Sequence, residues 1–222
     1  MTENGFENQC RRELRFLIEV AIKASFITQN NKDEGFDARI IAGMSAAQIR
    51  GDEMAGFNKV GLESGINVSY AIRYNMDLGI DLLFSQRGSR SNNSDFGERR
   101  IFRMNYLSIP VAVTVKDWVY EQENGFSYYK VFAQAGVSYG RLLSKEVEGA
   151  LVGVPLENLS DAFNENDISW LLGAGYQFNY RLGARIRYNR SITKLFSQAD
   201  NPSVNYNDLI PYHLSLQLTF KI

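Results

Sequence analysis

The last ten residues, His213-Leu214-Ser215-Leu216-Gln217-Leu218-Thr219-Phe220-Lys221-Ile222, decide how the chain is read. Leu214, Leu216, Leu218, Phe220 and Ile222 alternate strictly with His213, Ser215, Gln217, Thr219 and Lys221. Successive side chains of a β-strand point to opposite faces, so this segment is a strand with one apolar and one polar face. The same period runs back through the sequence. Val60, Leu62, Ile66, Val68, Tyr70 and Ile72 share a face interrupted by Ser64, opposite Gly61, Glu63, Gly65, Asn67, Ser69, Ala71 and Arg73. Met76, Leu78, Ile80, Leu82 and Phe84 stand opposite Asp77, Gly79, Asp81 and Ser85, with Leu83 breaking the polar row. Ile168, Trp170, Leu172, Ala174, Tyr176, Phe178 and Tyr180 form a further apolar row.

The pattern predicts eight strands, at 36–49, 59–73, 76–88, 103–116, 128–141, 168–180, 182–191 and 211–222, with ends defined to about 2–4 residues. Most have the roughly 9–11 residues that a tilted strand needs to cross a bilayer. Strands of soluble sheets are shorter, about 5–6 residues. The connections alternate in length. Tyr74-Asn75 and the turn near Arg181 are tight, whereas Ser89 to Phe102, Leu142 to Asp167 and Ile192 to Ile210 are long, and Gly51 to Phe57 is moderate. Outer-membrane barrels have short turns at one end and long loops at the other. Asp117 to Ser127 is the connection that exceeds the rule. Aromatic residues fall near strand ends: Tyr70, Tyr74, Trp118, Tyr120, Tyr128, Phe178 and Tyr180 toward the short turns, Phe84, Phe102, Tyr139, Trp170, Tyr188 and Tyr212 toward the long loops. Two such belts suit rings at two bilayer interfaces, although strands favour aromatic residues in any setting.

Composition narrows the function classes. The 222 residues carry 24 Lys+Arg against 25 Asp+Glu, a net charge of −1, which argues against a nucleic-acid partner. No apolar run reaches the length of a transmembrane helix, and alternating strands escape hydropathy averages. Cys10 stands alone, so there is no intrachain disulfide and no cysteine metal site. The single histidine is His213. Residues 1–28 form a separate N-terminal segment with two competing readings. One is a degenerate signal, with Arg11-Arg12 as the basic start and an apolar run from Leu14 to Phe26 that Arg15, Glu19 and Lys23 interrupt. The other is an amphipathic helix carrying Leu14, Leu17, Val20, Ala21 and Ala24 on one face. Residues 29–222 form the barrel domain.

A soluble barrel points its apolar face inward and a membrane barrel points it at lipid. The polar rows contain Arg39, Glu63, Arg73, Asp77, Asp81, Arg87, Lys130, Arg185 and Arg187. On the membrane reading these project into a lumen too narrow for a wide channel, where opposite signs satisfy one another. Long strands and alternating loops favour that reading. Pro110, which cannot donate to a ladder, predicts a bulge in a sheet without edges. Gly136, Gly173 and Gly175 lie on the polar face, either leaving room for long lumen side chains or relieving local curvature.

With the strands placed, the order of several motifs resembles the PorT-like outer-membrane β-barrel family of Bacteroidetes. Gln29-Asn30-Asn31-Lys32 resembles the start of a mature chain after a signal, and Ser45 to Gly61 the family's first hairpin. Leu83-Phe84-Ser85-Gln86-Arg87-Gly88 resembles the end of its third strand, and Asn105-Tyr106-Leu107-Ser108-Ile109-Pro110 its most recognisable motif. Ala135-Gly136-Val137-Ser138-Tyr139-Gly140 and Gly173-Ala174-Gly175-Tyr176 resemble its Gly-rich strands, and Arg187-Tyr188 its seventh. The resemblance implies a bacterial outer-membrane location. The namesake's association with protein secretion is not carried over to this chain.

Chemical constellations are sparse. Asp77, Asp81 and Glu63 could form paired carboxylates for acid–base work, but a lumen salt network with Arg73 and Arg185 accounts for them as well. His213 is close in sequence to Ser215 and Asp208, with nothing further to suggest a triad. Gly173-Ala174-Gly175 lacks the third glycine of a dinucleotide site. Asn164-Glu165-Asn166-Asp167 lacks the spacing of a calcium loop. No catalytic, cofactor or metal residue is assigned. The expectation is an all-β, eight-stranded, antiparallel up-and-down transmembrane barrel without enzymatic activity. Its partners are outer-membrane lipid and a protein held by long extracellular loops. The alternatives are an outer-membrane enzyme, lipid-modifying or proteolytic, and a soluble lipocalin-like binding barrel.

Overall fold

A computed structural model describes residues 35–50, 59–90, 101–121, 127–148, 150–151, 154–155, 163–197 and 208–222. The N-terminal segment 1–28, Cys10 and the connection 51–57 lie outside those residues. The strands are β1 (Phe36–Arg50), β2 (Lys59–Arg73), β3 (Met76–Arg90), β4 (Ile101–Glu121), β5 (Ser127–Glu148), β6 (Ala150–Leu151), β7 (Val154–Pro155), β8 (Asn166–Gln177), β9 (Leu182–Ser191) and β10 (Ile210–Lys221). Eight of them close into an antiparallel barrel in the order β1-β2-β3-β4-β5-β8-β9-β10, with β10 back against β1. β6 and β7 pair as a small separate ribbon within the β5–β8 connection. The closing seam sets Arg39 opposite Lys221 and Arg50 opposite Ile210.

The terminal alternation now has a direction. Ser215 and Gln217 are each 1% exposed, whereas Leu216 and Leu218 are each 53% exposed. The polar rows therefore fill the interior and the apolar rows form the outer wall. Val60, Leu62, Ile80, Val137, Ile168, Leu172 and Ile186 repeat this outward placement around the barrel. A continuous apolar exterior on a closed sheet without free edges is a surface matched to lipid. It overturns the lipocalin-like alternative, which needs the apolar face inside.

Several local expectations are corrected. The connection placed at Asp117 to Ser127 is mostly strand: β4 runs to Glu121 and β5 starts at Ser127, paired to the end. This hairpin reaches past its neighbours, because β3 meets β4 no further than Val115 and β8 meets β5 no further than Val131. Rings sustain the extension, with Tyr120 packed edge-on against Tyr128 and Lys130 Nζ 3.9 Å from the Tyr120 ring centre. Trp118, at φ 61°, sets its ring 5.5 Å from the same ammonium. Lys130 is thus held by rings beyond the barrel wall and not in the lumen. Arg73 also leaves the expected network, being exposed beside the Tyr74-Asn75 turn. The bulge expected at Pro110 lies instead at Asn105/Tyr106, where Leu143 is the extra residue on β5. Around Pro110 the pairs Ile80–Val111 and Leu83–Ser108 keep one register, and the two ladder pairs between them are missing. The missing N–H is met by a gap in the ladder, without an inserted residue.

The glycine alternatives also resolve. A Cβ on Gly173 would meet Arg187 Cγ at 2.9 Å, and one on Gly175 would strike the Phe132 ring, so both clear space for lumen side chains. A Cβ on Gly136 would strike the Val111 carbonyl, so there the need is close backbone approach.

Candidate functional site

The interior has three zones along the barrel axis. The middle zone is a connected charge network. Asp81 sits at its centre and accepts from Arg185 Nη2 at 2.7 Å, from Arg187 Nη1, and from Asn67 Nδ2 at 2.6 Å. Arg185 Nε also donates to Gln217 Oε1 at 2.6 Å, and Arg187 Nε to Gln134 Oε1 at 3.0 Å. Glu63 accepts from Ser85, Ser215 and Gln217 at 3.1, 3.0 and 2.6 Å. Arg87 links this cluster to the next turn of the wall, donating to Ser85, Ser108 and Asp167. Among the described residues the buried charges are Glu63, Asp81 and Asp167 against Arg87, Arg185 and Arg187, so the interior is neutral in sum. Neutral sum and satisfied hydrogen bonds are the conditions under which buried charges persist.

The long-connection end is apolar. Inward-facing Ile49, Met104 and Leu142 are buried there, together with Phe163, Leu195, Phe196 and Leu209 from the connections. Backbone bonds tie this layer down: Asn164 donates to the Leu195 carbonyl, Leu195 to that of Leu209, and Leu209 to that of Phe196. The sequence carries a signal for it, namely apolar residues on the inward rows near strand ends. Below it Tyr106 is buried with the Arg87 guanidinium 4.8 Å from its ring centre.

The short-turn end opens into a cavity of about 260 Å³. Its wall carries Asp37, Arg39, Asp77, Lys116 and Lys221, with Tyr129, Phe132 and Tyr180 between them. Lys116 pairs with Asp77 at 2.8 Å. Arg39 and Lys221 both approach Asp37 Oδ2, at 2.9 and 3.4 Å. A residual void of about 10 Å³ lies beside Glu63 and His213.

The groups weighed for catalysis fall into separate charge clusters, with His213 and Ser215 together at Glu63. Asp77 belongs to the cavity rim and Asp81 to the central network, each with its own cation. His213 is buried with Nε2 4.0 Å from Glu63, Ser215 donates to that same carboxylate, and Asp208 pairs with Lys194. In the segment Asn164 to Asp167, Arg141 occupies Glu165 and Asn166 while Arg87 occupies Asp167. Among the described residues no cluster of His, Cys, Asp or Glu suits a metal ion.

A model of the outer membrane protein beta-barrel domain matches residues 8–197. The chain belongs to this family. Its place is the bacterial outer membrane, in agreement with the inverted faces. Similar solved structures include Ail, the attachment invasion locus protein of Yersinia pestis, at 11% identity over 85% of this chain and 99% of Ail, with a TM-score of 0.45. Neisserial surface protein A is 16% identical over 85% of this chain and 97% of its own, with a TM-score of 0.41. AlkL, an outer membrane protein solved in lipid bilayers, is 12% identical over 85% and 91%, with a TM-score of 0.41. No curated protein matches the chain.

Proposed function

We propose that this outer-membrane barrel is a non-enzymatic, PorT-like scaffold that holds a protein partner through its long connections. The carrying observation is the filled lumen: a charge network and an apolar layer occupy the path that a solute would need. With the interior occupied, the parts free to recognise anything are the ends, and recognition commonly resides on loops borne by a rigid scaffold. On this reading the long connections Leu142 to Asp167 and Ile192 to Ile210 are on the outer side, because barrels of this kind keep their short turns in the periplasm. Lipid surrounds the outer wall and is the second partner. Asp208 pairs with exposed Lys194 while His213 and Ser215 are buried against Glu63 inside the central network, which weighs against the enzyme alternative.

The test is site-directed crosslinking on intact cells with a membrane-impermeant thiol reagent, in a Cys10→Ser background. A cysteine at Ser203 is expected to label and to capture a discrete protein, and Asn75→Cys to remain unlabelled. Labelling of Asn75→Cys but not Ser203→Cys would invert the topology. Labelling without any discrete adduct at the long connections would remove the partner reading.

A further inference from the structure

We infer that the cavity at the short-turn end is a binding site for a small acid, a carboxylate with an N–H or O–H donor beside it. The charge arithmetic comes first. Arg39 Nη2 and Lys221 Nζ share one carboxylate oxygen, Asp37 Oδ2, at 2.9 and 3.4 Å, so two cations answer one anion. The neighbouring Lys116–Asp77 pair is neutral. Among the described side chains this corner of the cavity therefore holds one cation more than it holds anions. Lys221 is the looser of the two, its ammonium 4.4 Å from the Tyr180 ring centre and its contact to Asp37 long. Arg39 is held more firmly, with Nη1 donating to Gln177 Oε1 at 2.9 Å.

Two polar atoms supply an independent observation. Thr219 is 3% exposed, lies two residues before Lys221 on the inward row, and lines the cavity, yet its Oγ1 makes no hydrogen bond among the described residues. Buried hydroxyls ordinarily find a partner, and a carboxylate is an acceptor for both Thr219 O–H and Lys221 Nζ. Asp37 Oδ1 is also buried without a hydrogen bond. Being an acceptor, it calls for a donor next to the anionic group. That combination occurs in an N-acyl amino acid and at the free C-terminus of a peptide. Tyr129 and Phe132 offer an apolar wall to the side chain.

The experiment titrates the purified barrel in detergent micelles by calorimetry. N-acetylphenylalanine is compared with N-acetylphenylalanine amide, and a tetrapeptide ending in a free carboxylate with the same peptide amidated. Binding of either acid, at least about tenfold tighter than its amide, is the expected result, since a charge-assisted hydrogen bond is worth that much. Tight binding by the small acid identifies a solute site, and binding by the peptide alone identifies a chain-terminus site. Lys221→Gln should weaken the acid about tenfold without changing the amide, and Thr219→Val should weaken it less. Both variants are first shown to be folded by their mobility on unheated gels. Equal affinity for acid and amide, no binding by any of the four ligands, or unchanged binding in both folded variants would overturn the proposal. These outcomes do not depend on which end of the barrel faces the periplasm, so they stand apart from the partner reading above.

Discussion

Asp81 concentrates the energetics of this molecule in one residue. It is 1% exposed and takes charge-assisted hydrogen bonds from two guanidinium groups and an amide. Removing one partner of a buried ion pair leaves the other charges desolvated, a cost of about 3–5 kcal/mol. Asp77 makes one bond to Lys116 at the wetter rim, where a pair is worth about 0–1 kcal/mol. Asp81→Ala is therefore expected to lower the unfolding free energy in lipid vesicles several times more than Asp77→Ala, read from urea titrations. Equal losses would show that the central network does not hold the interior together. The residue types were legible in advance, because charges on the inward row of a narrow barrel must be paired. The pairing was not: Asp81 meets Arg185 and Arg187, which are 104 and 106 residues away, and Arg73 takes no place in the network.

At the scale of the strand, β3 shows how depth grades the outer wall. Ile80 and Tyr70 are 51% and 48% exposed, so burial alone does not separate them. Position does: Ile80 lies opposite Val68 within the β2–β3 ladder, while Tyr70 lies near its end, opposite Leu78 and beside Phe36. Arginine on the lipid face costs roughly 2–4 kcal/mol at the midplane and about 0–1 near the interface. Ile80→Arg is thus expected to destabilise the barrel in vesicles clearly more than Tyr70→Arg, and equal shifts would mean that the depth assignment is wrong. Element boundaries explain where sequence reading fell short. Alternation fades at Asp117-Trp118-Val119-Tyr120, yet cross-strand ring contacts carry the ladder to Glu121. Such contacts depend on which residues come to face each other, and single-strand periodicity does not contain that.

The whole molecule is an inside-out protein, and its solution behaviour follows from that. The exposed apolar rows circle the closed sheet, so the barrel should require detergent or lipid and aggregate in plain buffer. The closed ladder, without an open edge from which to unzip, should keep it folded in cold detergent, giving faster migration on unheated than on heated gels. A dispersed monomer in buffer alone, or identical mobility before and after heating, would contradict this surface.

The period of two was enough, by itself, to specify an all-β chain, eight long strands and two faces of opposite polarity, because strand pleat converts sequence spacing directly into side. It could not say which face is inside, and strand length and loop pattern had to argue for lipid; the structure decides it through the burial of Ser215 and Gln217 against the exposure of Leu216 and Leu218. Closure, register and the lumen's division into apolar layer, charge network and open cavity belong to tertiary structure alone. The cavity corner illustrates the reason. Asp37 and Arg39 start the first strand and Lys221 ends the last, and a carboxylate shared between those cations exists only once β10 has returned to pair with β1.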